Sequence, residues 1–304
     1  MSLSPEEFVE RLQATAVVDG KAFGRLELLN EEQGKHFDAA SQLKGFKALS
    51  SAFVCFFLES VELLNTSIRP KVTAPLSEHY ALFIPRLNLN FQSLCAAELT
   101  GTFGYPYNAY ASLRNTFDNA ILTSAAIQGL TTFYAIEGLD TTSKDPTDPA
   151  AVKKLRMNTE YEVRKKMTGA ESGLSASTLK EVARWDAMFD LETHGSRLSM
   201  TNAADWLKGA APLSIVPKYE DAQFSMFLNR YCEVAWMVHR LIPLMVPAGM
   251  ALSQDWAEKW RIIDDSFEIA VFSLTKQLGK PIGGAMVELV KAKFPFNEQS
   301  TFPL

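Results

Sequence analysis

Residues 221–242 read DAQFSMFLNRYCEVAWMVHRLI, and this stretch decides the fold. Drawn as a helix, it is apolar on most sides, the pattern of a helix surrounded by others rather than one lying on a surface. Pro243 and Pro247 kink or end it.

Helical spacing continues in both directions from this segment. Downstream, 254–278 places Trp256, Trp260, Ile263, Phe267, Val271 and Leu274 on one seam, leaving Asp264, Asp265 and Glu268 for water. Gly279-Lys280-Pro281 closes that helix, and a shorter one to Lys293 precedes a Phe-rich tail. Upstream, Phe46, Leu49, Phe53, Phe56, Ser60 and Leu64 follow three- and four-residue steps, and a Pro and Ser/Thr loop over 66–77 ends their helix. The next helix is expected over 84–100, with Pro85 in its first turn, and another opens at Pro106 and ends near Gly129.

No run shows sustained strand alternation, so the fold class is all-α, a multi-helix bundle of about ten helices. The polar run 140–149 (DTTSKDPTDP) is the clearest linker in a single assembly spanning 1–304, and it divides candidate subdomains 1–139 and 150–304. After it come a charged helix over 150–167 and a helix ending at Gly195, a residue suited to a left-handed C-cap. The expected core helices are 46–64, 107–128, 221–242 and 254–278.

Composition narrows the function classes. The 304 residues are 47% apolar and 21% charged, ordinary for a globular chain. A formal charge of −5 gives no overall attraction for phosphate backbones. Cys55, Cys95 and Cys232 lie far apart in apolar surroundings, which predicts buried, reduced thiols and a cytoplasmic location. Glu6, Glu7 and Glu10 stand where a secretory signal would be basic and then apolar. Residues 52–64 are too short to span about 30 Å of hydrocarbon, and 234–252 carry His239, Arg240 and two prolines, so both are expected as core helices and no membrane contact is assigned.

Motifs for phosphate loops, dinucleotide sites, zincins and hydrolase elbows are all missing. S-x-x-K occurs at Ser41–Lys44, Ser177–Lys180 and Ser273–Lys276, with no K-T-G partner, and carries no weight.

Two polar constellations remain. In ASLRNTFDNA (111–120), taking Tyr110 as zero at about 100° per residue, Arg114 falls at about 40° and Asp118 at about 80°, flanking Ile121 at about 20°. Arg114 therefore points near the core and needs the carboxylate one turn on, either as a structural ion pair or as an Arg lining a cleft. In RWDAMFDLETHGSR, Asp186, Asp190 and His194 climb one edge of a helix face, and Asp190 can hold the His194 imidazole as a general base requires. The alternative is a His that caps its helix beside solvated aspartates. Such a ladder supplies only part of a metal shell, so no metal or cofactor is assigned. His239 reads as a satisfied core histidine; His36, His79 and Arg86 stand at helix starts and carry no signal. The bases of the charged helix, Lys153, Lys154, Arg156, Arg164, Lys165 and Lys166, spread around its cylinder, which favours a solvated helix over a nucleic-acid surface.

Residues 109–120 (AYASLRNTFDNA), followed by a Trp-containing helix ending in His194, resemble a group of uncharacterised bacterial helical proteins. Asp190 stands where that group would have Ser. The resemblance covers about residues 105–205 and implies no established activity. Related-looking helical proteins of abortive infection and toxin systems include ribonucleases marked by R-x(4 to 6)-H, and none of the four histidines here has an Arg at that distance. Two functions are expected from this. One is a helical binding protein, with a protein partner or a second copy, in a bacterial stress or phage-defence setting. The other is a hydrolase acting on nucleic acid or nucleotide through Arg114, Asp118, Asp190 and His194.

Overall fold

The computed structural model describes residues 21–68, 70, 74–127, 129–138, 148–168, 219, 221–245 and 252–277, with four isolated positions besides. Among the described residues every regular element is helical and there is no strand. The α-helices are α1 (Lys21–Gln42), α2 (Lys44–Leu63), α3 (Ala74–Thr102), α4 (Pro106–Ile127), α5 (Phe133–Glu137), α6 (Pro149–Thr168), α7 (Asp221–Leu241) and α8 (Gln254–Gln277). The fold is all-α. Asp186, Asp190 and His194, the polar run 140–147 and the helices expected after Gln277 and before Gly195 lie outside the described residues.

Helix α7 is central, as its sequence requires: residues 227–243 are all buried, enclosed by α2, α3, α4 and α8. Helices from both sides of residues 140–149 share this one core. At one end Gly101 of α3 lets the Phe227 ring approach so closely that a Cβ built there would lie 2.1 Å from Cζ. In the middle Phe57 and Phe91 stack at 4.7 Å between α2 and α3. At the other end the His239 and Trp260 rings stack at 5.2 Å between α7 and α8.

The central helix is not purely apolar, and most of its buried polar side chains find partners on neighbouring elements or within its own turns, while Asn229 Oδ1 and His239 Nδ1 find none among the described residues. Arg230 meets Glu233 at 3.1 Å, and Asn229 donates to Glu233 at 3.2 Å. Tyr231 and Ser50 both donate to Glu98 Oε2, at 3.0 and 2.5 Å, tying α7, α2 and α3 at one point. Burial, reinforced by the Glu98 charge, holds the Tyr231 hydroxyl well above its usual range. Arg240 forms a two-bond pair with Asp264 of α8, and Trp236 Nε1 donates to the same carboxylate at 2.6 Å.

Several expectations are corrected. The helix expected at 84–100 begins at Ala74, so Pro85 is interior. Ala81 and Pro85 both face outward, which leaves the carbonyl deprived of its N–H on the solvent side. The 66–77 loop shrinks accordingly, because a π-helical turn over Leu64–Ile68 extends α2. Continuous helix from Lys44 to Ser67, 24 residues, is long and apolar enough to cross a membrane, so the length argument from 52–64 fails, and only 33% of its apolar window is buried. Only Cys232 is a buried thiol: Cys55 is exposed and Cys95 half-buried. Asp264, expected in water, is buried at 6% exposure because Arg240 and Trp236 both require it. His36 and Arg86 sit inside helices and are buried, not at helix starts.

Candidate functional site

The residues that carry polar chemistry gather where α4 meets α3, α5 and α6. One turn of α4 separates Arg114 from Asp118, and Arg114 Nε donates to Asp118 Oδ2 at 3.0 Å as the spacing predicts. The second oxygen, Oδ1, is taken by Nη2 of Arg164 from α6. Arg164 Nε also reaches Glu160 at 3.3 Å, one turn back on its own helix. Asp118 is therefore clamped between two guanidiniums from two helices. The Arg114 guanidinium also lies 5.9 Å from the Phe117 ring centroid.

Electrostatics at Asp118 pull in opposite directions. Burial pushes its carboxyl up to about 6, while the Arg164 and Arg114 charges pull it down and Glu160 adds to the rise. Burial wins, although the side chain keeps 23% of its surface exposed.

A second polar string runs beside this clamp along the seam of α3 and α4. Arg86 Nε donates to Glu137 of α5 at 2.6 Å, and its Nη1 donates to Asn119 Oδ1 at 3.4 Å. Asn119 donates to Asn115 at 3.3 Å, and Asn115 donates to Ser93 at 3.5 Å. Burial lowers the Arg86 pKa, with the Glu137 charge opposing and the Arg156 charge assisting. The stem of Arg156 passes close over Gly138, whose φ of 72° ends α5 in the left-handed region.

The structure thus brings Arg114 and Asp118 together and adds Arg164, which sequence reasoning placed only among the bases of the charged helix. A signal for it was present: a half-buried carboxylate with one Arg on its own face leaves an oxygen to be satisfied from another helix. What the arrangement can do chemically is limited by occupancy, because both carboxylate oxygens already accept charged hydrogen bonds. Asp190 and His194 lie outside the described residues, and among the described residues no group of His, Cys, Asp and Glu is arranged to hold a metal ion.

His239, by contrast, is a core residue. It is fully buried, Nε2 lies 3.0 Å from the Trp260 carbonyl, and Trp260 Nε1 donates back to the His239 carbonyl at 3.3 Å. Burial lowers its pKa to about 4, so the ring is neutral in the fold.

A different kind of site opens on the far side of the central helix. The start of α2, one face of α8 and Leu228 and Cys232 of α7 enclose an apolar cleft of about 770 Å³. Its α2 wall alternates small residues, Gly45, Ala48 and Ala52, with Phe46 and Leu49, and Ile263, Ile269 and Ala270 make its α8 wall. Ile262 and Ile269 are 59% and 70% exposed, so this wall presents aliphatic side chains to water. Compared with protein families, curated proteins and solved structures, the chain matches none.

Proposed function

We propose that this chain is a non-enzymatic helical binding protein whose α2/α8 cleft takes an amphipathic helix from a protein partner. The observation that carries this reading is the aliphatic rim of the cleft, Ile262 and Ile269, standing exposed across from an α2 wall in which Gly45, Ala48 and Ala52 stand among Phe46 and Leu49. Small residues on one wall let an incoming helix lie close, and burying each isoleucine contributes about 1.5–3 kcal/mol. Arg114 and Asp118 then serve the fold, joining α4 to α6 through Arg164.

A display library of amphipathic helical peptides tests this. Selected peptides are expected to lose affinity at least about tenfold on Ile269→Glu or Ala52→Trp, with the melting temperature unchanged. Enrichment of no helical peptide, or equal binding by both variants, would remove the reading.

A second reading rests on the Asp118 carboxyl, held near neutrality beside two arginines. A hydrolase acting on nucleotides or nucleic acid would use Arg114 toward a phosphate and His194, oriented by Asp190, as acid or base. Arg114→Ala and His194→Ala would then each abolish turnover while unfolding stayed cooperative. Absence of turnover in the unmodified protein discards it.

A further inference from the structure

The six bases of α6 do not all face one way. Arg156 is exposed and lays its stem over Gly138, while Arg164 turns toward the bundle to pair with Asp118 and Glu160. That is what a planar five-donor group is suited to. The lysines turn away: Lys153, Lys154, Lys165 and Lys166 are all exposed, against one exposed acid, Glu162. Lys153, Lys154 and Lys166 have no carboxylate within pairing distance among the described residues. Two large side chains stand in the same outward face, Met157 at 60% and Tyr161 at 67% exposure. Lys154, Asn158, Tyr161 and Lys165 follow four-, three- and four-residue steps, so they form one stripe about 16 Å long.

This face differs from the rest of the molecule in sign. Helix α6 carries six bases and two acids on a chain whose formal charge is −5. A solvated surface helix needs no exposed aromatic, and an interfacial membrane helix needs a broad apolar face, which two side chains among lysines do not supply. Cationic side chains interleaved with an exposed ring match a polyanion whose bases can leave their stack.

We propose that the outward face of α6 binds single-stranded nucleic acid, its lysines meeting phosphates and Tyr161 stacking on a base. This is independent of the α2/α8 cleft, so either can fail alone.

Fluorescence anisotropy with short labelled oligouridylate and oligothymidylate decides it, and the two strands separate RNA from DNA as the source of the phosphates. Binding by the full chain is expected to weaken as salt rises from about 50 to 200 mM. Tyr161→Ala is expected to weaken it about tenfold while Tyr161→Phe retains it, because the ring face and not the hydroxyl makes the contact. Changing Lys154 and Lys165 together to Gln should flatten the log–log salt dependence by about 1.4, at roughly 0.7 per phosphate contact. All of these side chains are exposed, so melting temperatures should not move, and that comparison accompanies every titration. The proposal is overturned by no binding at low salt, by equal binding of Tyr161→Ala, or by Tyr161-dependent binding to phosphatidylserine vesicles in place of the oligonucleotides.

Discussion

Arg240 on the central helix grips both carboxylate oxygens of Asp264 on α8, Nε at 2.8 Å and Nη2 at 2.6 Å, while its guanidinium lies 4.7 Å from the Trp236 ring centroid. Trp236 Nε1 donates to the same carboxylate, so one buried acid answers two side chains one turn apart on α7. The pair joins α8 to α7 at this height.

Removing the acid alone leaves a guanidinium buried without its charge partner. Asp264→Ala is therefore expected to destabilise the protein by about 3–5 kcal/mol in urea unfolding. Replacing the whole unit with apolar residues of similar size, Trp236→Phe with Arg240→Met and Asp264→Leu, should recover most of that loss. If the triple variant is as unstable as Asp264→Ala, the loss does not come from a guanidinium buried without its partner, and the charge argument is wrong.

Close approach of α3 to α7 depends on Gly101. A methyl there would stand 2.1 Å from Phe227 Cζ and 2.4 Å from Cε1, inside any permitted contact. Gly101→Ala is expected to cost about 1–3 kcal/mol by overpacking. Adding Phe227→Leu makes room for the methyl and should return part of the stability, a coupling that a double-mutant cycle reads directly.

These two contacts show what was legible in the sequence. The centrality of residues 221–242 followed from the distribution of apolar residues, and the starts of α4 and α8 at Pro106 and Gln254 followed from local punctuation. Pairings between helices were not legible. Asp264 read as wet because its own helix places it beside the seam, and only the positions of Arg240 and Trp236 on α7 make it interior. Arg164 read as one base among six because nothing in α6 says that it faces Asp118. Pro85 misled the placement of α3 because a proline reads as a helix start unless its lost hydrogen bond is known to face water. Arg114 with Asp118 was legible because both partners sit one turn apart on one helix.

Acid should attack the fold through His239. Its folded pKa, lowered to about 4 by burial, lies below the ordinary 6.5, so the unfolded chain binds the extra proton between those values. Stability from this group is complete above about 6.5 and is lost as the pH falls toward 4, to the extent of about 3 kcal/mol. Nε2 already donates its hydrogen to the Trp260 carbonyl, so the added proton falls on Nδ1, which has no partner among the described residues. His239→Gln should remove this acid-side loss from the pH dependence of urea stability over that window. An unchanged slope would show that the ring is not kept neutral.

Asp118 should act in the opposite direction. Its folded pKa, raised to about 6, lies above the ordinary 3.8, so here the folded protein binds the extra proton. The contribution is complete below about 3.8 and is lost as pH rises through 6, on the order of 1–3 kcal/mol because the side chain is only partly buried. In the unmodified protein the two slopes oppose each other between pH 4 and 6, and the net dependence there should be shallow. Asp118→Asn removes the compensating slope and should expose the full acid sensitivity of His239, whereas His239→Gln should leave a protein that becomes more stable as it is acidified. Carbon-13 NMR of the Asp118 carboxyl gives the value itself. A titration midpoint near 6 means that burial outweighs the two guanidiniums, and one below 4 means that Arg114 and Arg164 hold the ionised form. In the latter case Asp118→Asn would steepen nothing between pH 4 and 6, and the clamp between α4 and α6 would be a net source of stability at neutral pH.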